Sequence, residues 1–112
     1  MNEAGYVPNR GDVVWVVRDP RKGHEQSGRR PSIVISQRLF TERTGLAVVC
    51  PITSKTKGLP FEIGIKSSVI DGAILPIHVR SIDVNARKVQ FIEKAPEEVL
   101  RQTFNAVELI IS

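Results

Sequence analysis

Cysteine is all but missing from this chain. Cys50 stands alone among 112 residues, which excludes an intramolecular disulfide and a cysteine-based metal site and fits a reducing compartment. Histidine is nearly as scarce: His24 and His78 are poor material for a metal centre, and there is no His-Glu-x-x-His. A Gly-x-Ser-x-Gly elbow and a glycine-rich phosphate loop ahead of a helix are absent too, so neither a metal nor another cofactor is expected. One Trp and one Tyr leave few platforms on which nucleobases could stack. No apolar run approaches the length of a membrane span, and Met1 to Pro8 lacks the apolar core of a signal peptide. A soluble, cytosolic protein without membrane contact is the expectation.

What the chain does have is concentrated charge. A length of 112 residues allows one domain over 1–112 with a modest single core. The net charge of +4 and pI near 9.6 suit a polyanionic partner. Between Arg18 and Arg30 five basic residues (Arg18, Arg21, Lys22, Arg29, Arg30) face only two acids, Asp19 and Glu25. The segment Lys22-Gly23-His24-Glu25-Gln26-Ser27-Gly28-Arg29-Arg30-Pro31 packs this chemistry between glycines, just ahead of the apolar Ile33-Val34-Ile35. It reads as a functional loop hung on a rigid strand.

Periodicity supplies the scaffold. Val13 to Val17 is β-branched or aromatic throughout, which predicts a strand buried on both faces over part of its length. Pro31 to Gln37 predicts a second strand after a loop over Asp19 to Arg30, and Ser36 to Arg43 a short helical turn ended by Gly45. Leu46 to Thr53 predicts a third strand, with Cys50 as a buried, inert thiol. Pro60 to Ile65 alternates as a half-buried strand, and Asp71-Gly72 signals a turn before Ala73 to Ile77. His78 to Asp83 and Lys88 to Ile92 complete the strands. From Pro96 the period changes: Val99, Thr103 or Phe104, Val107 and Ile110 or Ile111 recur at helical spacing, with Glu97 and Glu98 where the helix dipole favours acids. Short strands at close spacing followed by one amphipathic helix predict a mainly β fold, a small barrel with a C-terminal helix.

The side chains able to do chemistry are Glu25, Arg29, Arg30, Thr53, His24, His78 and Arg80. Each also has a plain reading. Glu25 can pair with Arg29 or Arg30 at the surface, Thr53 can satisfy its own turn, His24 can be solvated, and His78 can be a half-buried, hydrogen-bonded imidazole.

Five ordered motifs weigh between these readings. Gly11-Asp12-Val13-Val14-Trp15-Val16, Asp19-Pro20-x-x-Gly23-x-Glu25-Gln26-x-Gly28-x-Arg30-Pro31, Pro51-Ile52-Thr53-Ser54, Lys57-Gly58-x-Pro60-Phe61-Glu62 and Val79-Arg80-Ser81-Ile82 together resemble the MazF/PemK/Kid family of toxin endoribonucleases, over nearly the whole chain. The resemblance implies an SH3-like barrel of the CcdB/PemK type and a homodimer. It also implies metal-independent, sequence-specific cleavage of single-stranded messenger RNA and neutralisation by a cognate MazE-like antitoxin. Carried over by residue, the catalytic set is Glu25, Arg30 and Thr53, with the Val79-Arg80 segment lining the RNA groove; the expected RNA contacts are Lys22, His24, Gln26, Arg29, Ser54, Lys55, Lys57, His78 and Arg80. Ile77-His78 departs from the family pattern, which has Asp-Gln or Asn-Gln there. Two other readings keep the barrel without the catalysis: a CcdB-like toxin that binds gyrase, and a plain RNA-binding barrel.

Overall fold

A computed structural model describes residues 5–17, 28–55 and 58–112. Its elements are β1 (Asp12–Val17), β2 (Arg29–Val34), α1 (Arg38–Thr44), β3 (Leu46–Thr53), β4 (Ile63–Lys66), β5 (Asp71–Ile74), a 3-10 turn over Pro76–His78, β6 (Arg80–Asp83), β7 (Val89–Lys94) and α2 (Glu97–Ile111). The strands form one curled antiparallel sheet in the order β4-β5-β3-β2-β1-β7, with β6 also paired to β3. This is the expected mainly β barrel-like body with a C-terminal helix.

The organising strand is β3. Its first half pairs with β6, from Leu46 opposite Asp83 to Val49 opposite Arg80, and its end pairs with β5, Ile52 opposite Ile74 and Thr53 opposite Ala73. Its other edge pairs with β2. Because side chains alternate across a strand, the sheet carries two apolar clusters. Val13, Ile33, Cys50 and Ile52 pack with Ile65, Ile70, Ile74 and Val107 of α2. Val14, Val16, Val34, Ala47, Val49, Ile82 and Val89 pack on the opposite face. The middle of β1 is therefore buried on both sides, as its unbroken apolar run predicts. Each fully buried Val or Ile contributes about 1.5–3 kcal/mol of transfer free energy.

Polar groups pin the ends of this body. Asp12 is buried and accepts from the Tyr6 hydroxyl at 2.6 Å and the Asn9 amide at 3.0 Å, while Lys94 Nζ lies 3.1 Å from its other oxygen. In α2 the choice between Thr103 and Phe104 falls to Thr103, which is fully buried and donates its hydroxyl to the Val99 carbonyl at 2.8 Å. Phe104 faces outward, with the Arg10 guanidinium 4.6 Å above its ring. Ile110 and Ile111 are both exposed, and burial on the helix falls instead to Ala106 and Val107.

Several strand ends differ from the sequence reading. Arg29 and Arg30 belong to β2 rather than to the loop, since they pair with Val17 and Val16. The same strand stops at Val34: the Ile35 amide still donates to the Val48 carbonyl at 2.9 Å, but the Val48 amide donates to the Ser36 hydroxyl at 2.9 Å, so half of the next rung is lost. Pro60 and Phe61 form a turn rather than opening a strand, with Phe61 at φ 66. Asp71 and Gly72 lie inside β5 instead of forming a turn. Pro76 starts a 3-10 turn that takes in His78, so β6 begins only at Arg80.

Candidate active site

Register brings two of the three expected catalytic positions to one place. Ser32 on β2 pairs with Pro51 on β3. Arg30 lies two residues before Ser32 and Thr53 two residues after Pro51, so in this antiparallel pair both lie past the same end of the ladder and on the same face. Arg30 is exposed and Thr53 half-buried. Arg30 sits where β2 is anchored opposite Val16, which fixes its backbone while leaving its guanidinium in solvent.

Thr53 ends β3 with a closed turn. Its Oγ1 donates to the Lys55 carbonyl at 3.1 Å and accepts from the Lys55 amide at 3.2 Å. The plain reading of Thr53 is thus realised in the structure. The same turn fixes the hydroxyl and places Ser54 and Lys55, both exposed, beside it.

Arg29 points to the other face, as alternation predicts. Its guanidinium lies 4.4 Å over the Trp15 ring, and its Nη1 donates to Gln90 Oε1 at 3.4 Å. Arg80 shares the face of Arg30 and Thr53, being paired with Val49, but Val49 lies four residues before Thr53, a separation of about 13 Å along an extended strand. His78 is exposed on the 3-10 turn, its amide donating to the Leu75 carbonyl at 3.0 Å. Glu25 lies outside the described residues, as do Lys22, His24, Gln26 and Lys57.

Cys50 takes no part. It is fully buried on the opposite face of β3 from Thr53, and burial pushes its thiol up to about 12, so it stays protonated and unreactive at neutral pH. Two neighbours of the site escaped the sequence reading. Gln90 could be placed beside Arg29 only once β7 was known to pair with β1. Gly72, which approaches the Thr53 backbone, looked like half of a turn.

Such a surface, a solvent-facing guanidinium on an anchored strand and a fixed hydroxyl on the same face, is suited to holding a phosphodiester. Comparison with known proteins gives the family. Residues 9–111 match the model of the PemK-like, MazF-like toxins of type II toxin–antitoxin systems. The chain is 43% identical over 82 residues to the endoribonuclease toxin MazF of Escherichia coli strain K12, covering 73% of this chain and 74% of that protein. It is 32% identical over 108 residues to the endoribonuclease toxin ChpB of the same strain, covering 91% and 92%. Among solved structures, MazF from Deinococcus radiodurans superposes with a TM-score of 0.82 at 37% identity, over 95% of this chain and 97% of that one. A MazE-MazF structure from the same organism superposes with a TM-score of 0.84 at 32% identity, over 96% and 97%.

Proposed function

Since the chain belongs to the PemK-like, MazF-like toxin family of type II toxin–antitoxin systems, we propose that it is an endoribonuclease toxin that cuts single-stranded messenger RNA at short sequences and so halts translation and growth. The observation that carries the site assignment is the register of β2 and β3, which supports Arg30 and Thr53 acting together.

In this reading 1–112 is a single toxin domain acting in the cytoplasm as a homodimer, restrained by a MazE-like antitoxin. The RNA supplies its own nucleophile. Glu25 takes the proton from the 2′-OH, the 2′-oxygen bonds to the adjacent phosphorus, and the bond from phosphorus to the 5′-oxygen breaks. That oxygen receives its proton from Arg30, His24 or His78. Arg30 clamps the non-bridging oxygens through its planar fork as charge grows on them, and Thr53 holds the phosphate or the 2′-OH in line. Lys22, Gln26, Arg29, Ser54, Lys55, Lys57 and Arg80 hold the strand, largely through its phosphates. The gyrase-binding and non-catalytic alternatives draw no support from relatives that are themselves endoribonucleases.

The test is incubation of the pure protein with a long RNA in the presence of EDTA. Discrete fragments ending in 2′,3′-cyclic phosphate and 5′-hydroxyl are expected, with DNA of the same sequence left intact because it lacks the nucleophile. Activity lost in EDTA and restored by Mg²⁺ would rule the mechanism out.

A further inference from the structure

Gly72 is the one described glycine whose missing side chain leaves room for backbone rather than for solvent or another side chain. A Cβ built on it would stand 2.1 Å from the Thr53 carbonyl oxygen, 3.0 Å from the Thr53 carbonyl carbon and 3.3 Å from the Ser54 Cα. No other described glycine meets backbone atoms: a Cβ on Gly11 or Gly45 would touch only a side chain, and one on Gly5, Gly28, Gly58 or Gly64 nothing within 4 Å. Nor is Gly72 there for its dihedral freedom, since it is not among the glycines at positive φ. Space alone requires it.

The space is taken by the residue whose hydroxyl the proposed reaction uses. Ile52 pairs with Ile74 and Thr53 with Ala73, so Gly72 lies where β3 ends and the Thr53 turn begins. There the Thr53 Oγ1 both donates to and accepts from Lys55. A methyl group at 72 has to push β5 off β3 or rotate the peptide between Thr53 and Ser54. Backbone atoms held in a ladder cannot swing aside as a long side chain can, and either movement turns the Thr53 hydroxyl.

We infer that Gly72 is a positioning residue for the cleavage reaction, seating β5 against the Thr53 carbonyl so that the Thr53 turn presents its hydroxyl at a fixed angle beside Arg30. This rests on the reading of Thr53 as catalytic, and the experiment separates the two. Single-turnover cleavage of a short RNA is measured for the wild type, Gly72→Ala, Thr53→Ala, the double variant, and Gly64→Ala. Gly64 is a control on the next strand, paired with Ala73 and open to solvent.

Gly72→Ala should slow cleavage by about 10²-fold, the scale of a misplacement near 1 Å, with RNA affinity nearly unchanged and Gly64→Ala like the wild type. The double variant should be no slower than Thr53→Ala, because a hydroxyl that is gone cannot be misplaced. A fast Gly72→Ala beside a crippled Thr53→Ala overturns the inference alone, as do losses that multiply in the double variant. A fast Thr53→Ala overturns the catalytic reading and the inference with it. If Gly72→Ala does not fold, nuclear Overhauser contacts in the wild type decide: a strong Gly72 Hα to Ser54 Hα contact is required, and its absence overturns the inference.

Discussion

At the scale of single residues, the two neighbouring arginines of β2 separate by face. Arg30 shares its face with Thr53, whereas Arg29 lies over Trp15 on the other. Arg30→Lys should therefore fail nearly as badly as Arg30→Ala in single-turnover cleavage, by about 10²–10³-fold, because lysine keeps the charge and loses the fork. Arg29→Lys gives up a stacked cation worth about 0.5–1 kcal/mol at an exposed site, which lowers stability slightly and leaves the chemical step intact. Near-wild-type cleavage by Arg30→Lys, or equal collapse in Arg29→Lys, would show that the roles are reversed. This division was legible in the sequence, since alternation along an extended chain needs no partner to be known. Gly72 was not legible. Asp-Gly is the commonest kind of turn signal, and the contact that explains the glycine reaches back to Thr53, on a strand defined only by tertiary pairing.

Among the elements, α1 and β3 emerge where the sequence puts them, and the reason is local. Gly45 ends α1 at φ 75, its amide donating to the Thr41 carbonyl at 2.8 Å, and β3 starts on the next residue. A left-handed residue at that position is a glycine signal written in the chain itself. Gly45→Ala should cost about 1–2 kcal/mol, the penalty of a Cβ in that conformation, and its Cβ would also come 3.2 Å from Asn85 Nδ2. Thermal unfolding of the wild type, Gly45→Asn and Gly45→Ala should give falling midpoints in that order, since asparagine tolerates the conformation; an alanine variant as stable as wild type would remove the cap from the account. Elements whose ends moved were set by distant groups. Hydroxyl capture of the Val48 amide by Ser36 shortens β2, and pairing with β1 draws Arg29 and Arg30 into it. The partners stand 12 to 14 residues apart along the chain, so the alternation within either segment alone does not reveal the contact.

For the whole molecule, the two apolar clusters set how stability responds to alkali. Cys50 is enclosed in one of them, and burial raises its thiol from an ordinary value of 9.0 to about 12. Tyr6 packs on the other, its hydroxyl held above its ordinary value first by burial and then by the hydrogen bond it donates to the Asp12 carboxylate. Both groups are neutral when protonated. As pH rises past 9 the unfolded chain releases the thiol proton while the folded chain keeps it, so the unfolded state binds fewer protons and stability falls with pH. The contribution of Cys50 is complete below about pH 9 and is lost as pH climbs towards about 12, with Tyr6 joining from its ordinary value of 10.0. Urea unfolding at intervals from pH 7 to 11 should show a flat region and then a decline of the order of a few kcal/mol. In Cys50→Ala the whole curve should start lower, because a small cavity opens beside Ile33, but its decline should begin about one unit later, where the tyrosine alone responds. Parallel declines in the two proteins would mean that the buried thiol is not what couples this fold to alkali.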